Sequence, residues 1–78
     1  MPKFTLSIIV ANRPGVLSRV AGLFSKRGYN INSLTVNAMV EDETRSRIIM
    51  TSSGDDPTRE QIIKQLDKLH DVKEVKLI

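Results

Sequence analysis

Phe4, Leu6, Ile8 and Val10 alternate with Lys3, Thr5 and Ser7. A period of two sends successive side chains to opposite faces, so this spacing predicts a strand with one face buried. The period then changes. Val16, Leu17, Val20, Leu23 and Phe24 fall at i, i+1, i+4, i+7 and i+8, one stripe of a helix, with Ser18, Arg19, Ser25 and Lys26 off it. Pro14 suits the first turn of that helix, where a missing N–H costs nothing. Gly28 suits its end, because glycine adopts left-handed backbone freely, and Lys26 and Arg27 sit beside the negative end of the helix dipole.

Leu34, Val36, Ala38 and Val40 alternate again and predict a second strand. Glu41-Asp42-Glu43 is too polar to bury and reads as a hairpin loop. Arg45 to Thr51 follows as a third strand, with Ile48 and Met50 on one face. After a loop over Ser52 to Asp56, Asp56 is placed as an N-cap ahead of Pro57. Ile62, Ile63, Leu66 and Leu69 form the stripe of a second helix, on which Glu60 and Lys64 stand four apart as an ion pair. Val75 and Leu77 close the chain with a short strand.

The order is βαββαβ, and no linker or low-complexity segment interrupts it, so residues 1–78 read as one domain. Two strand–helix–strand halves joined by a hairpin predict an α+β fold, the ferredoxin-like sandwich. Its antiparallel sheet should run in the order 4-1-3-2, with both helices on one face because each has a single apolar stripe. If Leu6, Ile8, Val36, Ala38, Ile48 and Met50 meet the helices, then Ile9, Met39 and Ile49 go to the opposite face. That face is either a plain solvent surface or a docking surface for a second protein.

Length sharpens this picture. A chain of 78 residues buries only about 60% of its unfolded surface, so a lone copy is marginal and a partner copy would help it. Without cysteine there is no disulfide and no thiolate metal site, which fits a cytoplasmic protein. The apolar stretch from Phe4 to Ala11 is too short for a membrane span, and Asn12-Arg13-Pro14 stands where a leader would need small residues. Neither a signal peptide nor a membrane association is expected.

Charge raises one further class. Twelve basic and nine acidic residues give +3, yet the basic residues are scattered and the longest run is Lys26-Arg27. The third strand offers Arg45, Arg47, Ile49 and Thr51, with no aromatic to stack on a base. No nucleic-acid partner is expected. Catalytic candidates are equally few. His70 reads as a surface histidine at a helix end, and Glu41-Asp42-Glu43 as a solvated loop tip. The loop Ala11-Asn12-Arg13-Pro14-Gly15 lacks the cysteine pair of a metal-transfer domain and matches the anion loop of an acyl-phosphate hydrolase only faintly. No catalytic residue, metal or cofactor is predicted.

The entrance to the first helix remains. Helix N-terminal amides are unpaired and carry partial positive charge, which suits a carboxylate. Gly15 lets a ligand approach the backbone, Asn12 offers an acceptor to an ammonium, and Asn30 adds a second amide where the second strand begins. These residues either hold the head group of a free amino acid or do no more than make the turns. Both readings stand on the residues alone.

A resemblance favours the ligand. Asn12 to Leu17, NRPGVL, resembles the entrance motif of ACT domains, ferredoxin-like modules that sense small molecules, usually amino acids. The run from Gly15 to Val36, GVLSRVAGLFSKRGYNINSLTV, is similar to the small regulatory subunits of acetolactate synthase, an enzyme of branched-chain amino-acid synthesis. Ser46-Arg47 and Gln65 to Leu69 fit as well, so the likeness spans nearly the whole chain. It implies a non-catalytic regulatory subunit that binds a valine-type amino acid between two ACT domains and acts on the catalytic large subunit. Asn12, Gly15, Val16, Leu17, Asn30 and Ile31 are the ligand contacts it implies. Asn12 would take the amine and the amides after Gly15 the carboxylate, while Asn30 and Ile31 of a neighbouring copy would close the pocket in a homodimer or larger assembly. Many such subunits continue into a second domain; this chain reads as a one-domain form. Ala11 stands where relatives can carry an acidic residue, which bears on ligand preference. A free-standing ACT sensor of amino acids that regulates another target is the alternative.

Overall fold

The computed structural model describes residues 2–78. Its elements run β1 (Lys3–Ala11), α1 (Val16–Arg27), β2 (Asn30–Ala38), β3 (Arg45–Ser53), α2 (Asp56–Asp67) and β4 (Val72–Leu77). The sheet order is β2-β3-β1-β4, with every neighbouring pair antiparallel. This is the βαββαβ sandwich that the patterning predicts, with β2 and β4 as edges.

Period two explains the core. Leu6, Ile8 and Val10 of β1 lie opposite Met50, Ile48 and Ser46 of β3 in the ladder. They pack with Val16, Val20 and Phe24 of α1, Ile62 and Leu66 of α2, and Val72 of β4. Phe24 anchors this layer at 1% exposure. Its ring meets Tyr29 edge-on, with centroids 5.8 Å apart. Gly28 ends α1 in the left-handed region at φ 72°, and the Tyr29 N–H donates back to the Phe24 carbonyl at 2.9 Å. That closure satisfies a carbonyl the helix would otherwise leave open.

Several sequence expectations are corrected. Val36 and Leu17, both assigned to the buried side by period, are 40% and 43% exposed. Ala38 is exposed as well. Periodicity gives the direction of a side chain, and β2 lies at the rim of the helical layer, where little covers it. Val40 lies beyond the end of β2 and is 95% exposed. The N-cap of α2 is Asp55, one residue earlier than expected, and its carboxylate accepts the Thr58 N–H at 2.9 Å. Glu60 reaches Arg59 at 3.4 Å instead of Lys64. His70 is exposed, as expected, and sits in the turn just beyond α2.

The opposite sheet face carries Ile9 and Ile49, paired with Arg47 and Ser7 respectively. Ile9 is buried and Ile49 half-buried, because long neighbours such as Arg47 and Glu74 flank them. Met39 falls in the hairpin loop. No open apolar patch forms there among the described residues. The exposed large apolar side chains are instead Leu17, Ile31, Val36, Val40, Leu77 and Ile78.

Candidate functional site

β1 delivers the chain to Ala11, and the next four residues reverse it into α1. The Val16 N–H donates to the Arg13 carbonyl at 3.3 Å, and Gly15 has φ 84° and ψ −10°. These are the third-position angles of a type II turn, which requires glycine there and favours proline just before. Pro14 therefore presets the turn, and α1 begins two residues later than Pro14 suggested, with Gly15 as its N-cap.

A glycine cap has no side chain to give. No side-chain oxygen caps α1, and its first turn holds no acidic residue. The first helical bond runs from the Arg19 N–H to the Gly15 carbonyl at 3.0 Å. The amides of Gly15, Leu17 and Ser18 find no acceptor among the described residues. α2 shows the contrast, with Asp55 as cap and Asp56 in its first turn. One helix answers its own positive end; the other leaves it open to an anion.

Asn12 flanks this opening and is held through both its main chain and its side chain. Its main-chain N–H donates to the Thr44 carbonyl at 2.8 Å, and its side-chain Nδ2 donates to the Glu43 carbonyl at 3.0 Å. The amide thus spends a donor on the hairpin loop and keeps Oδ1 as an acceptor. Asn12, Val16 and Leu17 line a cleft of about 60 Å³ with Val36, Ser46 and Ile48. That is far below the roughly 300 Å³ at which ordinary small-molecule pockets begin. One copy supplies polar groups and one apolar wall, and no enclosure.

Asn30 and Ile31 lie at the other end of β2. They pair with Ser53 and Ser52, whereas the Asn12 loop meets the start of β3 at Arg45. Eight residues of strand separate them, about 26 Å at the usual rise. Within one copy, Asn12, Gly15, Val16 and Leu17 come together and Asn30 and Ile31 do not join them. A bulge between Ile31 and Ser33 shifts the ladder, so Ile31 shares the helix side with Leu34 and Val36. Ile31 is 38% exposed; its edge strand has no partner on its outer side among the described residues.

The chain matches the model of the AHAS small subunit-like ACT domain over residues 6–74. It belongs to that family. This ACT domain is 54% identical over 67 residues to the probable acetolactate synthase small subunit of Archaeoglobus fulgidus, covering 86% of the chain and 42% of that protein. It is 57% identical over 67 residues to the isozyme 3 small subunit of Escherichia coli, covering 86% of the chain and 40% of that protein. The crystal structure of the acetolactate synthase small subunit from Thermotoga maritima aligns with a TM-score of 0.91 at 43% identity, over 99% of this chain and 47% of that one. The chain therefore spans less than half the length of these relatives. Among the described residues, no helix is long and apolar enough to cross a membrane, and no three or more His, Cys, Asp or Glu side chains gather as a metal site would need.

Sequence reasoning missed several residues around the ACT entrance. Val36, Ser46 and Ile48 wall the cleft from strands distant in sequence. Asp71, just ahead of β4, is buried and accepts a hydrogen bond from Arg19 Nη2, while Arg13 stands 3.7 Å from its other oxygen. No local pattern announces it, because Arg19 and Asp71 are 52 positions apart.

The hydrogen bond from Arg19 holds the Asp71 carboxyl below its ordinary value of 3.8, against the opposing effect of burial. Thr44 does the same for Asp42 and Thr58 for Asp55, through side-chain hydrogen bonds first. Each carboxylate is thus more acidic folded than unfolded. The unfolded chain takes up protons first on acidification, so these groups stabilise the fold fully above the ordinary value and lose that contribution as pH falls through the lowered ones. Thermal midpoints followed by circular dichroism should be flat above about pH 5 and drop below about pH 4. Asp71→Asn should remove part of that acid dependence.

Proposed function

We propose that this ACT domain is one unit of a non-catalytic regulatory subunit of acetolactate synthase. It binds a branched-chain amino acid of the valine type and modulates the catalytic large subunit. The observation that carries the ligand is the pairing of unanswered amides at Gly15, Leu17 and Ser18 with a nearby free acceptor on Asn12. A zwitterion needs that combination. A short aliphatic side chain would then rest on Val16, Leu17 and Val36, which the cleft already brings together.

The missing enclosure favours a second copy. Leu17 and Val36, which share the cleft, and Ile31 further along β2 leave apolar surface exposed near the open edge of that strand. A strand edge next to apolar surface is what a two-fold partner would cover. The partner's edge would bring Asn30 and Ile31 toward the entrance and complete the pocket. Ligand and dimer then support each other by mass action.

Thermal shift with each of the twenty amino acids tests the ligand. Valine, leucine or isoleucine should raise the midpoint and aspartate and lysine should not. At a hundredfold excess over Kd the gain is about 2.7 kcal/mol, on the order of 10 °C for a domain of this size. Mixing with the catalytic subunit tests the output: its rate should rise, and valine should alter that rise. No association and no change in rate would contradict the regulatory role.

A further inference from the structure

We propose that Asp71 is a positioning residue for the α1 entrance, tying Arg19, Arg13 and the Ala11 amide to one point so that the unanswered amides of Gly15, Leu17 and Ser18 are held in place beside the cleft. The inference rests on the entrance being the amino-acid site. Three contacts converge on this one residue. Its carboxylate accepts from Arg19 Nη2 and faces Arg13 Nη2 at 3.7 Å, and its carbonyl accepts the Ala11 N–H at 2.8 Å. Ala11 and Arg13 begin the reversing turn, and Arg19 ends the first turn of α1, so the three contacts bracket Asn12 and the amides assigned to the ligand's head group.

Burial makes the arrangement obligatory. Asp71 is only 8% exposed, and a carboxylate out of water is costly unless cations meet it. Arg19 does so at close range while packing beneath the bare Gly15, where a Cβ would lie 3.2 Å from its Nη1. On the other flank, Asn12 is bonded to Thr44 and Glu43. The entrance is therefore slung between the α2–β4 turn and the β2–β3 hairpin. Without the Asp71 charge, two guanidinium groups stand uncompensated beside the positive end of α1, which the dipole disfavours. Arg13 already lines the cleft and would be released to enter it. Preorganisation of the amides would be lost, and affinity with it.

Asp71→Asn keeps the shape and removes the charge. Calorimetric titration with L-valine, well below each variant's melting point, should show affinity reduced at least about tenfold, the scale of one charge-assisted hydrogen bond. Asp71→Glu should recover part of it. Arg19→Gln added to Asp71→Asn should cost little more, because the two act as one unit. A role in folding alone would lower the melting point and leave affinity for valine unchanged, and that result, or tighter binding, would overturn the proposal. Hydrogen exchange separates this failure from failure of the ligand reading. Asp71→Asn should speed exchange at the Ala11 and Arg19 amides in the ligand-free protein while Phe24 is unaffected. If the unaltered chain binds no valine, the ligand reading falls, and unchanged exchange at those two amides would refute the positioning role on its own.

Discussion

Gly15→Asp is expected to abolish amino-acid binding and leave the chain folded. A backbone at φ 84° costs a residue with a side chain about 1–2 kcal/mol, and a Cβ would press on Arg19 at 3.2 Å. An N-cap side chain reaches the second and third amides from extended backbone, as Asp55 does on α2 at φ −75° and ψ 176°, so an aspartate held left-handed regains little of that strain. The melting point should fall about as far as for Gly15→Ala. Binding should fall much further, because a fixed negative charge beside the amides of Leu17 and Ser18 repels the carboxylate of a ligand. Titration with L-valine should show at least about a hundredfold loss. Gly15→Ala is the control: it keeps the strain, supplies no carboxylate, lowers the melting point and retains most of the binding. If the aspartate variant binds valine like the unaltered chain, the carboxylate does not sit on those amides.

Phe24→Ala carries the largest expected effect on stability. Truncating a buried phenylalanine costs about 3–5 kcal/mol through lost transfer energy and the cavity left behind. Phe24 is 1% exposed, and its edge contact with Tyr29 would be lost too. A domain of 78 residues has in total about 4–12 kcal/mol at the usual yield per residue. The variant should therefore lose most of its urea resistance, seen as a large fall in the midpoint at constant slope. Leu17→Ala provides the comparison on the same helix. Leu17 is 43% exposed, so its loss should cost a dilute single copy well under the Phe24 change, while valine binding and self-association weaken.

Those two leucine and phenylalanine positions show how far the chain's pattern could be read. Both belong to one apolar stripe, and the stripe correctly implied an amphipathic helix over the sheet. Period alone does not distinguish a residue under the centre of the layer from one at its rim. Phe24 faces the core, whereas Leu17 and Val36 face the open side of β2. Their exposure is the part that bears on the proposed function, since a second copy would cover it. Element order and the stop at Gly28 were legible because each rests on local spacing, and strand order because βαββαβ selects one sandwich.

The entrance was legible in part. Asn12, Gly15, Val16 and Leu17 are close in sequence and meet in space, and the turn chemistry of Pro14 and Gly15 is local, although Pro14 proved to serve the turn and not the helix. The supports of that entrance are remote. Thr44 and Glu43 hold Asn12 from the hairpin, and Asp71 holds two arginines from the far side of α2. Topology creates those meetings, and no spacing along the chain encodes them. Asn30 and Ile31 differ again, since one copy leaves them at the far end of β2 and only the proposed second copy would bring them to the entrance.

The central claim is that the α1 entrance binds the head group of an amino acid. Amide-resolved NMR during a titration with L-valine tests it most directly. The account predicts saturable shifts at Gly15, Leu17 and Ser18 and at the Asn12 side chain, with Asn30 and Ile31 following as a second copy closes the pocket. Saturable shifts confined to other places, such as the Asp55-capped start of α2, or no shifts at all, would contradict it.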